Sequence, residues 1–303
     1  MNSWIDFSVT VPGASHIQKG KPCQDCSGRL NTGDAAIAAV ADGHGDVRYF
    51  RSAEGARFAA EAAIESLQEF VGCETALGFG EKPEAEQLQL IKQLEKSIIV
   101  RWNGKVKGNI EARPFIEEEL SALSQSRRRC YESGEFLETA DAYGTTLVAV
   151  VLTDTYGFGL QIGDGDATIG YSDGSYDSIP KDESLIANIT TSLCEEDAFD
   201  KFHERIFTGK PAYAIVTTDG MLNSFRTEAI YRAKIRQFAQ AFAADDYETT
   251  QKFLEAYMRT ITKDGSGDDL SIAGIIRKDG LEALPVAVET TCEIGAEPHL
   301  IEE

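Results

Sequence analysis

The sequence predicts an α+β fold, on three observations. Its apolar patterning runs as strands, a block of helices, strands, a second block of helices and a last strand, without strict strand–helix alternation. Of its 303 residues 42% are hydrophobic and 9% aromatic, ample for a core and too rich for a disordered chain. No internal repeat is visible, and the longest apolar runs, 35–41 and 147–152, fall far short of the roughly 20 residues that span a bilayer. Length alone would allow about two domains, but α/β-type domains reach roughly 250 residues. We expect one domain over residues 1–278, followed by an acidic tail over 279–303.

The elements follow in order. Trp4–Val11 alternates apolar and polar residues and reads as a half-buried strand; a short segment follows Asp25; the continuous run Ala35–Ala41 reads as a strand covered on both faces. Ala56, Ala60, Ala63, Ile64, Leu67 and Val71 repeat at steps of three and four, the apolar face of a helix. Leu88, Ile91, Leu94 and Ile98 form a second such face, and 115–131, opened by Arg113-Pro114, reads as a third helix. Strands return at 145–152 and 156–162, then at 167–171 and 175–179 around the hairpin dipeptide Asp173-Gly174. Residues 180–210 show little period and read as an irregular flap. A buried strand at 212–218, helices near 227–243 and 248–262, and a strand at 270–276 complete the body. The tail has seven acids and no Lys or Arg, and reads as mobile or edge-packed.

Fifty acidic residues against 29 Lys plus Arg leave a formal charge of −21. That balance disfavours nucleic acid, which is bound largely through cations on phosphates, and it disfavours an anionic membrane surface. The opening MNSWIDFSVTV has no basic patch followed by an apolar core, so a cytoplasmic location with reduced thiols is expected for the six cysteines.

The placement of the acids is more telling than their number. Asp42 (AAVADGHG), Asp164 (LQIGDGDA), Asp219 (AIVTTDGM) and Asp268-Asp269 (before LSIAGII) each lie at the end of an apolar strand, and Asp25 (PCQDC) opens a short one. Carboxylates held at strand ends converge only if a cation neutralises them, and an all-oxygen donor set suits Mg²⁺ or Mn²⁺.

These blocks carry a resemblance. VADGHG at 40–45, GTT at 144–146, GDGDA at 163–167, TTDGMLN at 217–223 and GSGDDLS at 265–271 resemble, in order, the signatures of metal-dependent serine/threonine protein phosphatases of type 2C. The opening SHIQKGKPCQD is similar to a bacterial branch of that family. The resemblance implies a central antiparallel β-sandwich flanked on both sides by pairs of helices, with a dinuclear Mn²⁺ or Mg²⁺ site at one end. It implies that Asp42 bridges both metals, that Asp219 and Asp268 complete the first, and that the Gly43 carbonyl and, through water, Asp25 serve the second. Asp164 would match a weaker third site. The metals would turn a bridging water into the nucleophile, and His44 would protonate the departing Ser or Thr oxygen as general acid. Substrates would be phosphoproteins made by a serine/threonine kinase.

The sequence also departs from that pattern. Gln24 stands where many members have Glu, Asn223 where some have a third-metal Asp, and the phosphate-holding Arg expected near Gly20 is missing. His16, Lys19 and Lys21 are the candidates to replace it. Two other readings of the chain stand beside this one: a catalytically weak or inactive relative acting as a regulatory binding module, and a haloacid-dehalogenase-like phosphatase with Asp164 of DGDAT as nucleophile. Cys23 and Cys26 have CxxC spacing, a weak zinc or redox signal without a second pair. Arg127–Arg129 reads as a solvated helix face, with a docking patch for a phosphorylated partner as the alternative.

Overall fold

The computed structural model describes residues 4–73, 78–181 and 190–279. Among the described residues ten strands form two five-stranded sheets: β1 (Trp4–Val11), β10 (Leu270–Arg277), β9 (Tyr213–Thr217), β6 (Asp166–Gly170) and β7 (Tyr176–Asp177) in one, and β2 (Asp25–Asn31), β3 (Ala35–Asp42), β4 (Leu147–Thr153), β5 (Gly157–Ile162) and β8 (His203–Ile206) in the other. Every strand pairing is antiparallel, and the first strand lies against the last, Trp4 opposite Arg277.

The apolar runs of the central strands are explained by what covers each face. Along β3, Ala36, Ala38 and Val40 face the interior between the sheets, and Ile37, Ala39 and Ala41 join a separate cluster with the helices. Val148, Val150 and Leu152 against Leu147, Ala149 and Val151 repeat the division on β4. A strand covered on both faces has no polar side to show, so its pattern is continuous. In the sheet that holds β9, Ala214 and Val216 point between the sheets, while Tyr213 and Ile215 point to helices.

Helices cover both outer faces in pairs. α2 (Ser52–Gly72) lies on the β2–β3 face, and α3 (Glu84–Ala112) packs on α2, where the Trp102 indole donates to the Gly55 carbonyl at 3.0 Å. α8 (Glu228–Ala244) and α9 (Tyr247–Asp264) cover the other sheet through Tyr231, Ile235, Phe238, Leu254 and Met258. The expected sandwich is therefore present. Among the described residues no helix is long and apolar enough to cross a membrane.

Three expectations are corrected. The helix read over 115–131 is broken into α4 (Glu117–Leu120) and α5 (Gln125–Ser133), with α6 (Phe136–Ala140) after them. Ser124 causes the break: its hydroxyl accepts from Arg127 N as an N-cap, starting a new helix, and Glu119 turns back to the buried Arg51. The flap is not irregular throughout, because β8 adds to β5 as an edge strand, and Leu193 and Cys194 are buried. The strand read over 175–179 shrinks to the two residues of β7. Residues 182–189 of the flap, and the tail beyond 279, lie outside the described residues.

Two short helices that the periodicity did not suggest stand at one end of the sandwich: α1 (Ala14–Lys19) and α7 (Asp219–Asn223).

Candidate metal centre

Antiparallel pairing brings the acids to that same end. Asp25 opens β2 directly opposite Asp42 at the close of β3. Asp219 follows β9, Asp268 precedes β10, and Asp164 lies in the turn through which the chain passes from β5 in one sheet to β6 in the other. The Thr218 hydroxyl ties the two sheets here, donating to Asp25 Oδ2 at 2.7 Å. Asp42, Asp164, Asp219 and Asp268 line a cleft of about 820 Å³, with Gly43, His44 and His16 in its walls.

Asp42 is held by its backbone rather than by its carboxylate oxygens. The Asp42 carbonyl accepts from Thr146 N and from the Thr145 hydroxyl, both at 2.8 Å, and Asp42 N donates to the Thr146 hydroxyl at 3.1 Å. The GTT block is thus a clamp that leaves the Asp42 side chain to the cleft. Gly43 is wedged between chain segments, since a Cβ there would come within 2.6 Å of the Ser52 carbonyl oxygen and 2.7 Å of that of Gln24. Asp219 Oδ2 accepts from Asn223 Nδ2 at 3.0 Å, whereas Oδ1 is buried without a partner.

The electrostatics follow from this crowding. Burial, then Asp25 and Asp219, push the Asp42 carboxyl well above the usual carboxylate range. Burial first, with Asp269, Asp268 and Asp219 adding to it, does the same to Asp25. Asp219, buried and repelled by Asp164, is pushed up to about 6. Asp164 is also raised by burial. Among the described residues no group of three or more His, Cys, Asp and Glu side chains is already drawn in tightly enough to hold an ion. Asp42 and Asp219 do approach closely enough to share a side-chain hydrogen bond, and a carbonyl and water would be expected to complete such a set. An orphaned buried carboxylate oxygen among raised carboxyls nevertheless fits a divalent ion.

A sequence profile described as protein phosphatase 2C matches residues 12–259. The chain belongs to that family. Among solved structures, it is similar to the serine/threonine phosphatase Stp1 from Staphylococcus aureus, at 14% identity and a TM-score of 0.52 over 91% of this chain and 95% of the other. The PstP/Ppp phosphatase of Mycobacterium tuberculosis gives 14% and 0.51 over 90% and 98%. The catalytic domain of PstP in complex with two manganese ions gives 15% and 0.51 over 90% and 97%. At such identity the likeness is one of fold. No curated protein sequence is similar enough to count as a match.

The fold of a protein phosphatase 2C removes one alternative. The haloacid-dehalogenase-like reading needs a Rossmann-like parallel sheet, but both sheets are antiparallel and Asp164 sits in a turn between them.

Within this family member, Asp268 and Asp269 separate clearly. Asp269 is buried and its oxygens are occupied: Oδ1 accepts from Gly13 N at 2.6 Å, and Oδ2 from Gln24 N at 2.7 Å and His16 Nδ1 at 2.8 Å. Asp268 has a half-exposed side chain facing the cleft. Gln24, the replacement for Glu, donates to the His44 carbonyl at 3.0 Å and to the Ser52 hydroxyl at 2.5 Å, so it braces the loop. Asn223 braces Asp219 in the same way.

His44 lies in the cleft wall, its ring 4.7 Å from that of Tyr49. Burial, and then Arg48, lower its imidazole to about 4. Of the candidates for the missing arginine, His16 reaches the cleft with Nδ1 engaged by Asp269, while Lys19 and Lys21 are exposed and are not among its lining residues. Neither lysine is brought to the site.

The CxxC pair gains no support. Burial and nearby carboxylates raise the Cys23 thiol, and burial with Glu61 and Asp25 pushes Cys26 up to about 11, so both stay protonated. In the basic cluster, Arg127 pairs with Asp141 and Arg128 with Glu117 and Glu132, as a solvated face does.

Proposed function

We propose that this chain hydrolyses phosphoserine and phosphothreonine in proteins with the help of two divalent ions, Mn²⁺ or Mg²⁺. The observation that carries the reading is Asp219: a buried carboxylate oxygen with no partner, beside raised carboxyls, at the end of a protein phosphatase 2C fold. The PstP domain was crystallised with two manganese ions, and we carry that pair across to this chain. Asp42 would serve both ions, Asp219 and Asp268 the first, and the Gly43 carbonyl and Asp25 through water the second. Asp164 would stand at a weaker third position. Bound ions would supply charge neutralisation and acidify water, so that hydroxide is available to attack phosphorus at neutral pH.

The remaining work falls to the protein. The Thr145–Thr146 clamp fixes the Asp42 backbone and the Asn223 amide holds one Asp219 oxygen, so metal binding has only side-chain rotations left to make. His44 gives a proton to the Ser or Thr oxygen that departs. At neutral pH the free protein keeps its imidazole uncharged, because burial and Arg48 lower it. A phosphate dianion arriving beside it counters both effects and favours the imidazolium. We assign the domain to residues 1–278, the location to the cytoplasm and the substrates to phosphoproteins produced by a serine/threonine kinase.

Purified protein in millimolar Mn²⁺ should release phosphate from phosphothreonine peptides, with no release in EDTA or from Asp42→Ala. Silence with both Mn²⁺ and Mg²⁺ would end the catalytic reading and leave a binding module on the same fold.

A further inference from the structure

Among its described lining residues the cleft is nearly devoid of fixed positive charge. Its walls carry Asp42, Asp46, Asp164, Glu195, Asp219 and Asp268, and Arg48 is the one Lys or Arg among its described lining residues. A phosphomonoester is a dianion whose outer oxygens need hydrogen-bond donors, and carboxylates offer none when ionised.

Arg48 is held firmly at the backbone and loosely at the side chain. It lies on a short 3₁₀ turn, Val47–Tyr49, just after DGHG. Asp46 caps the turn by accepting from Arg48 N at 3.0 Å, and the Tyr131 hydroxyl donates to the Arg48 carbonyl at 2.9 Å. Its guanidinium lies over the Tyr49 ring at 4.3 Å. Its ion-pair partner among the described residues is Asp46, at 3.9 Å and 63% exposed, which is a weak hold. His44 packs on that same tyrosine ring. Tyr49 therefore sets the spacing between the guanidinium and the imidazole.

We propose that Arg48 grips the phosphate group of the substrate, its planar fork on two outer oxygens, in the role that the resemblance gave to an arginine near Gly20. The inference rests on the phosphatase reading. His16 is less suited because Asp269 holds its Nδ1, and neither Lys19 nor Lys21 lines the cleft. An arginine here also brings the phosphate to rest beside His44, so one ring orders both binding and proton delivery.

The test compares wild type, Arg48→Lys and Arg48→Ala as full-length, Mn²⁺-loaded proteins on a phosphothreonine peptide. KM in Arg48→Ala should rise about 10- to 100-fold, as loss of a bidentate charged contact implies, with kcat changed far less. The inhibition constant of inorganic phosphate should rise in parallel. Added guanidinium should restore part of the loss in Arg48→Ala and little in Arg48→Lys, which keeps charge but not the fork. Unchanged KM and phosphate inhibition in Arg48→Ala, with wild type active, would overturn the proposal. If Arg48→Ala misfolds, Arg48→Lys decides, since an unaltered KM there excludes the fork. If wild type is inactive, the phosphatase reading fails by itself; calorimetric binding of inorganic phosphate, weakened or not in the variants, still decides the role of Arg48.

Discussion

Asp164 and Asp166 stand two residues apart in GDGDA, and the fold treats them in opposite ways. Asp166 is fully buried on β6, yet Arg232 donates to both its oxygens, the Tyr231 hydroxyl reaches Oδ2 at 3.0 Å, and Lys181 lies 3.3 Å from Oδ1. Its charge is answered from within the chain, and it pins α8 to the sheet. Asp164, with Asp42 and Asp219, is pushed up by burial and by its neighbours, and an oxygen of Asp219 has no partner. The contrast separates a buried acid that builds the fold from acids that, in the proposed reading, are kept available to an external cation. Sequence spacing alone does not distinguish them.

The largest expected effect comes from Asp42→Ala. Mn²⁺-dependent turnover should fall on the order of 10³-fold, while thermal stability in EDTA holds or rises because a repelled carboxylate is gone. A matching loss of metal-free stability would erase the contrast. Asp166→Ala should do the reverse, costing about 3 kcal/mol by leaving the buried Arg232 with only the exposed Glu228 as a charged partner, with turnover per folded molecule close to wild type. Denaturant titration measures that cost, and Asp166→Ala/Arg232→Met should recover part of it.

His44→Asn sharpens the functional side. Turnover of a phosphothreonine peptide should drop about 10²-fold, but p-nitrophenyl phosphate, whose leaving group needs no proton, should be far less affected. Equal losses on both substrates would remove the general-acid role.

The smallest effect is on pH-dependent stability. A carboxyl raised in the folded state stabilises it while protonated, and that contribution is lost as pH rises through the folded value, about 6 for Asp219. In EDTA the melting temperature should therefore decline by a few degrees between about pH 4 and 7, from the ordinary carboxylate range to just past the folded value. Asp219→Asn should flatten the decline, and saturating Mn²⁺ should abolish it. A slope indifferent to Asp219→Asn would show that the cluster is not under electrostatic load.

Much of this molecule could be read from its residues. The strands covered on both faces announced themselves in AAIAAVA and TTLVAVVL, and the aspartates at their ends pointed to one edge. Period says nothing about partners, however, so the pairing of β1 with β10 across nearly the whole chain was invisible. Edge strand β8, His-Glu-Arg-Ile, lacks an apolar signature because its backbone bonds to β5 define it. Asn223 looked like a missing metal ligand until its amide was found on Asp219. Arg48 carried no signal at all. A single arginine in a polar loop is ordinary, and it gains meaning only when the other cations are seen to lie elsewhere.

Asp269 has a consequence in time. Gly13, His16 and Gln24, from the opening of the chain, all bond to this one carboxylate near its far end. During synthesis Gln24 can reach His44 and Ser52 early, but the bonds to this carboxylate wait until residue 269 leaves the ribosome. Pairing over so long a loop is slow to form. The carboxylate cleft is thus among the last parts to assemble, and a growing chain cannot present it before the rest of the sandwich is there to support it.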